Sequence, residues 1–126
     1  MIIQLDEAKR TLNAAKEPIA DLRNALRIDD LERQIQELEV KTLIPDFWSQ
    51  PDSGKILQSI KDKKATVEEY GGLCTKLEDT LLLCDMGIEE NDESVVDEVL
   101  KDVKEISDTA DRMRLETLLT GEYDRN

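Results

Sequence analysis

The residues that could do chemistry in this chain are few and scattered. The 126-residue sequence has no histidine. A nucleophile needs an adjacent base and a group that orients the base. The serines stand without a base beside them: Ser49, Ser53, Ser59, Ser94 and Ser107. Carboxylates are abundant, but a catalytic acid needs a dry pocket, which narrow helical seams do not provide. The sequence therefore predicts no catalytic site and no cofactor, and we do not expect an enzyme.

The two cysteines predict core packing rather than a disulfide or a metal site. Cys74 and Cys84 lie on one predicted helix, about 15 Å apart at ~1.5 Å per residue. A disulfide needs Cα atoms within about 7 Å. Without histidine or a Cys-x-x-Cys pair, zinc binding is not expected. The acidic stretch from Glu89 to Glu93 lacks the framework of a calcium loop and predicts solvated charge at the start of a helix.

Composition limits the partners that the chain can bind alone. The formal net charge is -13 and charged residues make up 37% of the chain. A net negative charge of this size repels nucleic acid, so autonomous RNA or DNA binding is not expected. Lys61, Lys63 and Lys64 form the local basic cluster, which predicts a solvated helix face or, alternatively, contact with an acidic partner or a phosphate backbone. No stretch approaches the ~20 apolar residues of a membrane span, and we expect a cytoplasmic protein.

Heptad spacing predicts two helices before residue 45. Apolar residues recur at intervals of three and four along a helix of about residues 3–26: Leu5, Ala8, Leu12, Ala15, Ile19, Leu22 and Leu26. Pro18 falls inside this seam and predicts either a kink near Glu17 or a helix that effectively starts there. The seam then changes phase near residues 27–29. A second helix, about residues 29–42, is predicted to begin with a capping box of Asp29 and Glu32.

The second half of the chain predicts a long antiparallel hairpin between about Pro51 and Thr120. Its helices span about residues 51–86 and 92–119, with Gly87 as the expected end of the first and a polar turn from Glu89 to Ser94. The pair Gly71-Gly72 lies in the middle of the first of these helices. It is interpreted as surface glycines, with a local bend or a binding contact as the alternatives. Three leucines lie off the main seam, where a third helix or another domain is expected to pack: Leu73, Leu82 and Leu83. The fold class is thus all-α, in one domain covering residues 1–126.

Two short strings interrupt the helical pattern. The linker of residues 45–50 begins Pro45-Asp46-Phe47-Trp48 and holds the only phenylalanine and the only tryptophan. We expect Asp46 to cap a single turn that carries both rings. The aromatic pair predicts an anchor packed on the helices, with a partner-binding hot spot as the alternative. We expect Trp48 to be largely buried, since an exposed pair would be sticky. The second string closes the chain as Gly121-Glu122-Tyr123-Asp124-Arg125-Asn126.

Together the two strings and the helical pattern resemble the N-terminal helical domain of bacterial class I peptide chain release factors. The release factor 2 branch is the better match, because the release factor 1 branch lacks both strings. The resemblance implies a factor that terminates translation at UGA and UAA. It also implies a domain that projects toward the stalk base of the large ribosomal subunit and packs on the remaining domains of the factor.

The same resemblance limits what is expected of this chain by itself. The family's Ser-Pro-Phe reading tripeptide and its Gly-Gly-Gln loop do not occur in the sequence. We therefore expect the front piece of a longer factor, with the codon-reading and catalytic-loop domains absent. The alternative is a free-standing acidic helical-hairpin adaptor or cochaperone. The reading frame after Asn126 would distinguish the two.

Overall fold

Four helices make up the fold. The computed structural model describes the backbone of residues 1–124 and the side chains of residues 1–119. Helix α1 spans Ile3–Ala25, α2 spans Ile28–Thr42, α3 spans Ser53–Glu90 and α4 spans Val96–Asp124. Short 3-10 turns, Phe47–Ser49 and Glu93–Val95, precede α3 and α4. The described residues contain no strand, which confirms the all-α prediction.

The long helix α3 is the element on which the others pack. Helices α3 and α4 form the predicted antiparallel hairpin, as the Arg112–Glu69 ion pair at 2.5 Å and the pairing of Lys76 with Glu105 show. Helix α1 lies along both helices of the hairpin, and α2 continues from it along the N-terminal part of α3. The Glu39–Lys64 ion pair, 2.9 Å long, joins α2 to α3.

The predicted seams form the core. One cluster of buried side chains joins α1, α3 and α4 along most of the bundle and includes the first residue of α2: Leu12, Ile19, Leu22, Ile28, Tyr70, Leu73, Leu77, Ile106, Ala110 and Met113. A second cluster lies near the hairpin turn: Ile2, Leu5, Ala8, Cys84 and Val99. Leu73, which lay off the predicted seam, is buried in the first cluster and Leu83 packs against the second. The third helix expected to pack on these off-seam leucines is therefore α1. It does not cover Leu82, which is exposed.

Two polar groups inside this core donate hydrogen bonds to α1. The Tyr70 hydroxyl donates to the Ile19 carbonyl at 2.9 Å, and burial raises the pKa of Tyr70 to about 12. The Cys84 thiol donates to the Leu5 carbonyl at 3.0 Å, and burial also raises its pKa. Both cysteines are free, with Cys84 buried and Cys74 half-buried, as the sequence predicted. These bonds satisfy groups that would otherwise be costly to bury.

The first helix passes through its proline. Helix α1 runs unbroken from Ile3 to Ala25 with Pro18 inside it. Leu5, Ala8 and Leu12 precede the proline and are all buried. Packing therefore holds the N-terminal half in place, and the prediction that the helix effectively starts near Glu17 is wrong.

Residues in the left-handed conformation form the turns, and they differ from those predicted. Arg27, with φ 58°, separates α1 from α2 at the predicted break. Helix α2 then begins at Ile28, one residue before Asp29, with no side-chain cap, so the predicted capping box is wrong.

Gly71 and Gly72 are exposed, and a Cβ at either would meet no atom within 4 Å. This favours the surface-glycine reading of that pair.

The predicted end of α3 at Gly87 is also wrong. The helix continues to Glu90, and Asn91 adopts the left-handed conformation at φ 51°. The Asp92 N–H then donates to the Gly87 carbonyl at 2.9 Å, as in a Schellman motif. Gly87 itself is buried in close contact with the next turn. A Cβ there would lie 2.6 Å from Val95 Cγ2 and 2.9 Å from Leu5 Cδ1.

These contacts predict opposite effects for the same substitution at two glycines. Alanine improves helix propensity by about 1 kcal/mol over glycine. At Gly72 nothing opposes this gain, so Gly72→Ala should stabilise the protein by about that amount. At Gly87 the crowding, which costs about 1–3 kcal/mol, outweighs the gain, and Gly87→Ala should lower stability. Urea unfolding midpoints measure both, and a stabilised Gly87→Ala variant would contradict the close contact.

Candidate functional site: the aromatic turn

The linker of residues 43–50, here called the aromatic turn, is a chain of overlapping hydrogen-bonded turns. The Phe47 N–H donates to the Ile44 carbonyl at 3.0 Å. The Ser49 N–H and hydroxyl both donate to the Asp46 carbonyl, at 3.0 and 2.8 Å. Asp46 adopts the left-handed conformation at φ 69° and its side chain forms no cap. The predicted single turn is present, but its backbone holds it and the predicted Asp46 cap is wrong.

The two rings of the aromatic turn have opposite environments. Phe47 is 3% exposed, whereas Trp48 is 72% exposed. Their centroids lie 5.3 Å apart with an interplanar angle of 81°, an edge-to-face contact. A 3-10 turn has three residues per turn, so adjacent side chains point about 120° apart. The two rings therefore cannot both face the helices, and the prediction that Trp48 is buried is wrong. Phe47 is the anchor.

Exposed apolar side chains precede Trp48 along the chain. Val40, Leu43 and Ile44 are all exposed. Their spacing of three and then one residue places them on one side of the last turn of α2 and its continuation. The sequence analysis did not identify this group because it followed the apolar spacing along the second helix, in which Ile28 and Ile35 are buried and Leu31 and Leu38 are half-buried. Its signal was the pair Leu43-Ile44 outside that seam, directly before Pro45.

The polar side chains near the turn pair with one another. Glu39 raises the pKa of Lys64 through their ion pair. The Lys63 ammonium donates to the Ser59 hydroxyl at 2.7 Å. Two members of the predicted basic cluster are thus engaged within the molecule, which favours the solvated-face reading over a phosphate site.

The described side chains form an open groove and no cluster of potential metal ligands. No group of three or more potential ligands could hold a metal ion in this part of the chain. An open groove of about 530 Å³ between α1 and α3 is lined mainly by apolar side chains together with Lys16, Glu78 and Asp85. In residues 1–124 no helix is long and apolar enough to cross a membrane.

Of the eight residues named from the two short strings, the structure brings four together. Pro45, Asp46, Phe47 and Trp48 share the aromatic turn. Gly121, Glu122, Tyr123 and Asp124 belong to the backbone of α4, but their side chains lie outside the described residues, as do Arg125 and Asn126 entirely. The role of the closing string therefore stays a prediction.

Comparison with known proteins gives consistent matches over the whole chain. No protein-family model matches it. Peptide chain release factor 2 of Clostridium perfringens strain SM101 is 31% identical over 127 residues, which cover 100% of this chain and 35% of that protein. The Staphylococcus saprophyticus factor is 31% identical over 128 residues, covering 98% of this chain and 34% of its own length. The chain is similar to one part of peptide chain release factor 2 over almost its whole length.

The match to release factor 2 covers only part of the length of that protein. The chain spans about a third of the length of these relatives, consistent with an N-terminal domain. The release factor 2 of Phenylobacterium zucineum is 35% identical over 95 residues, which cover 75% of this chain. The resemblance inferred from the two strings and the heptads is therefore confirmed.

The opposite environments of the two rings predict opposite stability effects. Phe47→Ala should lower the free energy of unfolding by about 3–5 kcal/mol, because it removes a buried ring and leaves a cavity. Trp48→Ala should change it by no more than about 0.5 kcal/mol, the usual range for a surface site. Denaturant unfolding followed by circular dichroism measures both. Equal losses for the two variants would contradict the assignment of Phe47 as the anchor.

Proposed function

We propose that this chain is the N-terminal helical domain of a translation termination factor similar to release factor 2. It contributes to stop-codon-dependent peptide release at UGA and UAA on the ribosome, in the cytoplasm. Its role is to position the factor, and it is not itself an enzyme. The observation that carries the proposal is the match of the entire chain to about a third of release factor 2.

The described residues suit a positioning role. The hairpin and α1 share a buried cluster of side chains, so we expect these three helices to move as a unit. Ion pairs such as Lys9–Asp85 at 2.7 Å and Arg112–Glu69 at 2.5 Å join the helices at the surface. A rigid element tethered to a reactive domain can raise the productive fraction of encounters without touching the reaction.

The ribosomal contact that we propose is made through protein. With a net charge of -13 the domain is repelled by exposed RNA backbone. Docking at the stalk base of the large subunit would therefore use apolar and charged contacts to ribosomal proteins. The remaining domains of the factor would supply codon reading and the hydrolysis-triggering loop.

Peptide release from a stop-programmed ribosome tests this function. The preparations are this chain, the longer factor that contains it, and that factor lacking residues 1–126. We expect no release by the chain alone, release at UGA and UAA by the longer factor, and slower release without the domain at limiting factor concentration. Release by the chain alone would refute the positioning role, and so would equal rates with and without the domain.

A matched pair of variants tests whether the domain must be folded, and not only present, to support release. Leu73→Asp places a charge in the core and should slow release as the deletion does, because Leu73 is buried. Thr75→Asp adds the same charge at an exposed position of the same helix and should leave the rate unchanged. A free-standing adaptor would show no effect of either variant on termination.

A further inference from the structure

Helix α3 is covered by different helices along its two halves. Helix α1 bonds to α3 at Cys84 and, nearer the start of α3, at Tyr70. Helix α2 meets α3 at the Glu39–Lys64 ion pair and along a shallow groove whose last α3 residue is Glu68. The cover of α3 therefore passes from α2 to α1 near Tyr70.

The part of α3 before Tyr70 belongs to a small core of its own. Three buried side chains lie outside both clusters described above: Ile35 on α2, Phe47 in the aromatic turn and Ile60 on α3. The elements that carry these side chains contact one another. We call residues 29–69 the α2 lobe. We call α1, α4 and residues 73–90 of α3 the main bundle.

Helix α4 holds the α2 lobe chiefly at the boundary between the two parts. Arg112 pairs with Glu69 at 2.5 Å, and Met113, directly after it, is buried. From residue 114 to 119 every side chain of α4 is exposed except the half-buried Thr117. Within the described chain α2 does not contact α4. Helix α4 therefore packs mainly on the main bundle.

Both chain connections between the two parts have a weak point at the same level. Arg27, in the left-handed conformation, separates α1 from α2, and the pair Gly71-Gly72 follows Tyr70 in α3. Tyr70 and Ile28, the residue after Arg27, are buried in one cluster. Glycine is the least favourable helix residue apart from proline, and helices bend at such sites. Packing does not require the pair, since a Cβ at either position would meet no atom within 4 Å.

We propose that Gly71-Gly72 and Arg27 form a hinge about which the α2 lobe moves relative to the main bundle. Hinges are a few residues that absorb the change in backbone angles while the parts on either side stay packed. Helix α3 is continuous through the glycines. The motion is therefore a bend of a formed helix and not an unfolding of it.

The side-chain contacts that cross the boundary permit such a motion. Arg23 of the main bundle pairs with Asp29 and Glu32 of the α2 lobe, through exposed side chains. Exposed ion pairs of this kind restrain a structure only weakly. The apolar contacts are those of Leu31 and Val67, which are half-buried against the main cluster. They leave the buried cores of both parts intact when the hinge bends.

The hinge carries the aromatic turn with it. Trp48 and the exposed side chains of Val40, Leu43 and Ile44 all belong to the α2 lobe. Bending at the hinge therefore changes where this apolar group lies relative to the main bundle, on the microsecond to millisecond timescale of collective hinge motions. This inference goes beyond the proposed function, which requires a folded domain but no motion within it.

Residual dipolar couplings of the backbone N–H groups test the hinge in this chain. The couplings of the α2 lobe and of the main bundle are fitted separately in a weakly aligned sample. A rigid molecule gives one alignment tensor for both parts. We expect the alignment magnitude of the α2 lobe to be roughly a third smaller, comparable to the difference between a rigid and a flexible backbone.

Glycine substitutions locate the motion. Replacing both Gly71 and Gly72 with alanine stiffens α3 at the boundary and should bring the two alignment magnitudes together. Gly54→Ala is the matched control, because Gly54 is also an exposed glycine of α3 at which a Cβ would meet no atom within 4 Å. Since Gly54 lies inside the α2 lobe, this variant should leave the difference unchanged. Circular dichroism checks that both variants keep the helix content of the original chain.

Three results would overturn the proposal. A single alignment tensor that fits both parts of the original chain would show that they do not move relative to one another. A loss of the difference in Gly54→Ala equal to that in the double variant would place the motion away from the boundary. A difference that survives replacement of both glycines would remove them from the hinge.

Discussion

The rest of the structure depends on how α3 is covered. A 38-residue helix is about 57 Å long at ~1.5 Å per residue, and its apolar residues are not confined to one stripe. Leu73 and Leu77 are buried in the cluster that joins α1, α3 and α4. The side chain of Tyr70, in the same cluster, reaches the backbone of α1. Helices α1 and α4 are therefore required together, because either alone would leave part of α3 exposed. Helix α2 then covers the N-terminal stretch that α1 does not reach.

Surface ion pairs mark the register of this assembly but add little to its stability. The ion pairs between helices join half-exposed side chains, as in Lys9–Asp85 and Glu39–Lys64. Exposed pairs of this kind contribute little to stability, typically about 0–1 kcal/mol. Each nevertheless shows which residues of two helices lie side by side. This register brings the last turns of α4 and the aromatic turn to the N-terminal part of α3, where they do not contact each other.

The heptad pattern predicted the core well and the turns poorly, for a physical reason. Burial follows a period, so Leu5, Leu12 and Leu22 could be identified from spacing alone. A turn depends on one residue's backbone conformation, and Asn91 took the left-handed position that Gly87 was expected to take. Gly87 instead allows a close approach of Val95, which only the packed hairpin reveals. The aromatic pair was located correctly, but the geometry of a 3-10 turn decided that Phe47 faces inward and Trp48 outward.

Native-state hydrogen exchange tests the central claim, that α3 is held by α1 and α4 as one cooperative unit with a less covered N-terminal end. The account predicts that amides near Leu12–Leu22, Tyr70–Leu77 and Ile106–Met113 exchange with the same free energy, which equals that of global unfolding. Amides in the first turns of α3, near Lys55–Ser59, should exchange with a lower free energy. If α1 exchanged well before the α3–α4 pair, the hairpin would stand without it. That result would contradict the account, as would uniform protection along α3.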